Sequence, residues 1–189
     1  MLRRRKPFRE PRLRILIVRE GTRTEPEYFM DMRNRERSLV DLDIRPGGDP
    51  KALVERAAFL RKESERRARK DANERYEHVW CVFDVDEHAH LAEALQQARD
   101  NRIDVAMSNP CFELWALLHF QDQRAWIDRS AVQHLCRQHM PGYKKRLPCD
   151  VLHPRVDDAR RRAIELGQGD NPSTTVYRLV DIIRQARSV

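Results

Sequence analysis

The stretch Val79-Trp80-Cys81-Val82-Phe83-Asp84-Val85-Asp86 decides the fold. Its five apolar residues, β-branched or aromatic in the main, are apolar on both faces, as a strand is when helices cover it on each side of a parallel sheet. The run then gives way to two acids two positions apart, which face the same way in extended backbone. Working outward, Leu13 to Arg19 (LRILIVR) is a second short aliphatic run, bounded by Pro11 and Gly21, and it also leads into an acid, Glu20. Leu39 to Ile44 alternates apolar positions 40, 42 and 44 with Asp41 and Asp43, and Ile103 to Met107 supplies a fourth short strand.

Helical patterns separate these runs. The string TEPEYFMDMRNRER from Thr24 has Thr24 at the capping position, acids in its first turn, Pro26 early, and Tyr28, Phe29 and Met32 on one side. Asp49-Pro50 opens a long helix whose Leu53, Val54, Ala57 and Leu60 face the sheet. Beyond Leu60 the stretch RKESERRARKDANER is almost wholly charged, and it protrudes into solvent, meets a polyanion or docks on a partner protein. Leu91, Leu95 and Ala98 mark a third helix, and CFELWALLHF from Cys111 a buried fourth. Strand and helix in alternation predict a Rossmann-like α/β architecture: a parallel sheet of about four strands, flanked by helices and joined by right-handed crossovers. Residues 1 to 12 read as a basic flexible arm and residues 13 to 127 as the α/β core. Residues 128 to 189 read as a helical extension packed on that core, with helices at 130 to 139, 156 to 166 and 173 to 187.

A chain of 189 residues makes one ordinary domain with a small appendage. Charged residues reach 35% against roughly 25% in an average globular protein, so the surface is densely ionic. No apolar run approaches the roughly 20 residues that span a bilayer. The basic N-terminus lacks the apolar segment of a secretion signal, so a cytoplasmic protein is expected. The four cysteines show no paired spacing, which argues against a disulfide framework. A net charge of +7, carried by 31 Arg and 6 Lys, favours polyanions, nucleic acid first, although a solvated basic surface gives the same count.

In open parallel sheets ligands bind outside the carboxyl ends of the strands. Glu20 ends the first strand, Asp84 ends the third, and Asp86 lies two residues on. Three carboxylates converging there would repel one another unless a cation neutralised them, and hard oxygen donors suit Mg²⁺ or Mn²⁺. Taken alone, Asp86 reads equally well as a helix cap.

The blocks LIVREGTRTEPEYF, VFDVDEH, SNPCFELWALLHF and NPSTTVYRLV resemble the successive signatures of RloB-like proteins, nearly from Leu13 to the end of the chain. That resemblance implies a bacterial anti-phage defence role, of the abortive-infection kind, beside a separate ATPase partner protein. Its glutamate block followed by Asp-x-Asp is similar to the TOPRIM domain of topoisomerases, primases and certain nucleases. By resemblance, Glu20 is the general acid or base, and Asp84 and Asp86 hold Mg²⁺. A nuclease acting on RNA, tRNA included, or on DNA is therefore expected. The alternative is a non-catalytic adaptor that binds nucleic acid or protein within the same system, and a homo-oligomer is compatible with either.

Other residues carry two readings each. Lys144 or Lys145 in GYKK either stabilises phosphate charge or is a solvated lysine. Glu113, at the start of the helix after the fourth strand, is an auxiliary metal ligand or a helix-dipole partner. Asn109 faces the ligand or, preferably, caps that helix. His134, Cys136, His139, Cys149 and His153 crowd one region without standard zinc spacing. Cys111 reads as a packing residue, since no His–Asp pair is placed to activate it. His88 and His90 read as surface residues, with His88 within reach of the metal site. No P-loop occurs, so ATP hydrolysis is not expected of this chain.

Overall fold

A computed structural model describes residues 13–21, 23–85, 90–143 and 147–186. The elements run β1 (Leu13–Arg19), α1 (Thr24–Arg35), β2 (Val40–Pro46), α2 (Pro50–Ala68), β3 (His78–Asp84), α3 (Leu91–Asp100) and β4 (Asp104–Asn109). They continue with α4 (Glu113–Leu117), α5 (Arg129–His139), α6 (Cys149–Leu152), α7 (Val156–Leu166), β5 (Ser173–Thr174) and α8 (Val176–Gln185). The sheet order is β2-β1-β3-β4-β5. The first four strands are parallel, and β5 lies antiparallel to β4. This is an α/β protein with a five-stranded, mostly parallel sheet flanked by helices. Among the described residues no helix is long and apolar enough to cross a membrane.

Pleating sorts the strand residues to two faces. Ile15, Ile17, Trp80 and Val82 look toward one layer, where they pack with Tyr28, Phe29 and Met32 of α1 and with buried residues of α4, α5, α7 and α8. Leu16, Val18, Val79, Cys81 and Phe83 look the other way, onto Leu53, Val54 and Ala57 of α2 and Ala94 and Ala98 of α3. The helices after residue 128 thus share the core of the sheet and do not enclose one of their own. Asp49 caps α2 as expected, its carboxylate accepting from the backbone N–H groups of Lys51 and Ala52 at 3.0 Å.

Four expectations are corrected. Thr24 is the first helical residue of α1 and not its cap; Arg23 precedes it without a side-chain cap, and the Glu27 N–H closes the turn on the Arg23 carbonyl at 3.1 Å. Asn109 does not cap α4. It extends β4, because β5 offers Ser173 and Thr174 as partners for Asn109 and Ser108, and its side chain donates to the Gly169 carbonyl at 3.1 Å. The segment read as a helix from Ser173 therefore begins as that strand and becomes helical only at Val176. The buried helix around Trp115 is short, Glu113–Leu117, and ends in turns that bring His119 into the core.

The charged stretch after Leu60 is partly consumed by local contacts. Arg61 donates to the carbonyls of Asn101 and Arg102, at 2.6 and 3.1 Å. The buried Ser64 hydroxyl donates to the Glu74 carbonyl at 2.8 Å and accepts from the Tyr76 N–H at 2.9 Å, folding the chain back from the end of α2 into β3.

His119 is 1% exposed, with Nδ1 donating to the Trp115 carbonyl at 2.8 Å. Burial, reinforced by the charges of Arg162 and Arg155, pushes its pKa down from 6.5 to about 4. The native state thus refuses a proton that the unfolded chain accepts, so this contribution to stability is complete above pH 6.5 and is lost as pH falls toward 4. Urea unfolding of His119→Gln across this range is expected to show a shallower loss of stability on acidification than the unsubstituted protein.

Candidate active site

The chain leaves β1 toward β2 on one side, while β3 and β4 extend the sheet on the other, so the order reverses between β1 and β3. Crevices at such reversals, outside the carboxyl ends of the strands, are where α/β sheets bind ligands. Glu20 and Asp84 stand on its two sides. The Glu20 N–H continues the pairing by donating to the Val82 carbonyl at 3.0 Å, and Asp84 is the last residue of β3, paired with Ser108 of β4.

Two further carboxylates join them. Glu25, in the first turn of α1, is 5% exposed, whereas Glu27 two residues on is exposed. Its carboxylate lies so close over Gly21 that a Cβ there would come within 2.0 Å of Oε1, and any side chain at position 21 would evict it. Glu113 opens α4; its Oε1 accepts from the Tyr143 hydroxyl at 2.7 Å, and its backbone carbonyl accepts from the Cys136 thiol at 3.4 Å.

These groups feel one another. Burial first, then the charges of Glu25, Glu113 and Glu20, push the Asp84 pKa up to about 8, against the pull of Arg129. Arg129, the first residue of α5, donates to Asp84 Oδ2 at 3.0 Å. Burial raises Glu25 as well, with Glu113 adding to the effect; backbone N–H groups of Glu25 and Gly21 and the charge of Arg19 oppose it. Arg19 is itself steered by a hydrogen bond from its guanidinium to the Gly21 carbonyl. Burial also pushes the Cys111 thiol far up, and neighbouring Glu113 and Asp84 push it further, so it is a protonated packing residue and no nucleophile.

The residues singled out from the sequence are thus distributed as follows. Glu20, Asp84 and Glu113 come together at one end of the sheet, while Asp86, Lys144, Lys145 and His88 lie outside the described residues. The His and Cys residues considered for zinc disperse into separate roles. His134 meets Gln138, His139 stacks on Phe120 and meets Gln121, and His153 faces Glu36 at 3.3 Å. Cys136 is fully buried. Among the described residues no group of three or more His, Cys, Asp or Glu side chains is arranged to hold a metal ion. The donors at the crevice are all carboxylate oxygens, the chemistry that Mg²⁺ and Mn²⁺ prefer, and Mg²⁺ commonly keeps several waters and takes only one or two protein carboxylates. Glu25, Arg129 and Tyr143 escaped the sequence reading. The acids of the first turn of α1 read simply as helix-start residues, and nothing local connects Arg129 to Asp84.

An open α/β sheet with a carboxylate-lined crevice at its reversal point defines the class. Residues 15–183 match the model of the RloB-like protein family, and the chain belongs to that family. No curated protein and no solved structure matches the chain.

The pairing of Arg129 with Asp84 makes a stability prediction. Removing the cation takes away the charge that favours ionised Asp84, leaving it unpaired or forced to take up a proton among three other acids, whereas Asp84→Asn removes the charge that needs it. Arg129→Ala is expected to cost on the order of 1–2 kcal/mol in urea unfolding, discounted for the partial exposure of the pair. The same substitution in an Asp84→Asn background should cost markedly less.

Proposed function

We propose that this RloB-like protein is a Mg²⁺- or Mn²⁺-dependent nuclease of the TOPRIM type, hydrolysing phosphodiester bonds of RNA, tRNA among them, or of DNA. In this reading it acts in the cytoplasm as the effector of a phage-defence system whose ATPase is a separate chain. The observation that carries the proposal is the convergence of Glu20 and Asp84, joined by Glu25 and Glu113, on the two sides of the sheet's reversal point. Burial and the neighbouring carboxylates together push Asp84 well above the ordinary carboxylate range, and a bound cation would relieve both.

Asp84, with Asp86 two residues on, would hold the metal. When bound, such an ion polarises a phosphate oxygen and stabilises the leaving oxygen. Glu20 would take up or return the proton of the attacking or leaving group. Glu113, oriented by Tyr143, and Glu25, oriented by Gly21, flank that pair and set the negative field that selects a cation.

Glu20→Gln, Asp84→Asn and Asp86→Asn are each expected to reduce metal-dependent cleavage by about a hundredfold or more. Their circular dichroism should remain that of the folded protein. Isothermal titration should show saturable Mn²⁺ binding that the Asp84→Asn/Asp86→Asn double variant lacks. Full cleavage by all three single variants overturns the proposal. Copurification with the ATPase without any metal-dependent cleavage replaces it with the adaptor reading.

A further inference from the structure

Trp126 is 71% exposed, while the other two tryptophans, Trp80 and Trp115, are 3% and 0% exposed. An indole at the surface offers a flat aromatic face on which another ring can stack. The chain beside it is anchored. The next residue, Ile127, is buried, and its backbone is clamped from both sides by one side chain: its N–H donates to Asn171 Oδ1 at 3.0 Å and its carbonyl accepts from Asn171 Nδ2 at 2.9 Å. Asp128 then caps α5, accepting from the Ala131 N–H at 2.9 Å.

The clamp fixes which end of the sheet the ring occupies. β5 runs antiparallel to β4 with Ser173 opposite Asn109, so Asn171 lies just beyond the carboxyl end of β4. Arg129, three residues after Trp126, reaches Asp84 at the carboxyl end of β3. The segment that carries Trp126 therefore lies at the crevice end of the sheet, flanked in sequence by Arg124, paired with Glu165 at 2.6 Å, and by Arg129, paired with Asp84.

An exposed ring on a segment anchored at the next residue, with an arginine on either side in sequence and a site read as hydrolysing phosphodiesters close along the chain, supplies the parts by which proteins hold unpaired nucleotides: a base stacks on the ring while nearby cations meet the backbone. We propose that Trp126 is a stacking platform for an unpaired base, and that the substrate is single-stranded nucleic acid or the looped part of a folded one. This rests on the nuclease reading for the identity of the site, not for the binding itself. In a duplex the bases are stacked within the helix and offer the ring no face, so the platform discriminates against paired strands.

Because Trp80 and Trp115 are buried, quenchable emission reports Trp126. The full chain is titrated in EDTA with a short oligouridylate, a short oligothymidylate, and a duplex of the same length. Single strands are expected to quench the emission saturably, and the duplex to leave it largely unchanged. By fluorescence anisotropy with labelled single strand, Trp126→Ala should bind about five- to a hundredfold more weakly and Trp126→Phe should keep most of the affinity. At so exposed a position neither substitution should move the unfolding temperature. Equal quenching by the duplex, or unchanged affinity in Trp126→Ala, overturns the proposal; emission untouched by any nucleic acid also does so and hands the ring to a protein partner. With metal absent, the result stands apart from the nuclease reading: quenching together with no Mn²⁺ binding sinks that reading alone, and Mn²⁺-dependent cleavage without quenching sinks this one alone.

Discussion

Four carboxylates share the space outside two neighbouring strand ends, largely out of water, and much of the surrounding structure answers to that crowding. Like charges in a poorly solvated crevice favour protons and cations, which is why Asp84 and Glu25 sit above the ordinary carboxylate range. The protein offsets part of the repulsion with donors of its own. Arg129 pairs with Asp84, the Tyr143 hydroxyl binds Glu113, and Gly21, lacking a side chain, lets its backbone approach Glu25. What is left over is a negative field at the carboxyl ends of β1 and β3, the feature on which the proposed metal dependence rests.

The unequal covering of the sheet follows from where those donors originate. One face carries only α2 and α3, whereas the other carries α1 together with the helices after residue 128. Arg129 and Tyr143 can reach the crevice because α5 and its following turn pack on the same side as α1 and α4, which bring Glu25 and Glu113. Burial of apolar surface, at about 25 cal/mol per Å², is non-directional and holds the layer in place; the hydrogen bonds of the crevice set its register.

What could be read from the chain alone tracks the range of the forces involved. β1 was legible to the residue because an aliphatic run between Pro11 and Gly21 has no other economical structure, and Glu20 and Asp84 followed from the ends of their strands. Asp49 before Pro50 announced α2 for the same local reason. β5 was not legible: two residues carry no period, and they become a strand only because Ser108 and Asn109 present a free edge. The same holds for the partners of the carboxylates. Arg129 lies 45 residues from Asp84, and Tyr143 lies 30 from Glu113, so their contacts exist only after the helical layer has folded onto the sheet. Glu25 shows the intermediate case, visible as an acid at a helix start but distinguishable from Glu27 only once burial is known.

The Asn171 clamp on Ile127 has a consequence for biosynthesis. Every crevice carboxylate among the described residues is translated by residue 113, yet the side chain that braces the rim, and the strand that closes the edge of β4, are not made until residues 171 to 174. A nascent chain shorter than this, or one broken off by a stalled ribosome, carries the acidic residues without the Asn171 bonds to Ile127 and without β5. The contacts around the crevice are therefore complete only once residues 171 to 174 have been made, and a fragment that ends before them keeps the crevice carboxylates but lacks both Asn171 and β5.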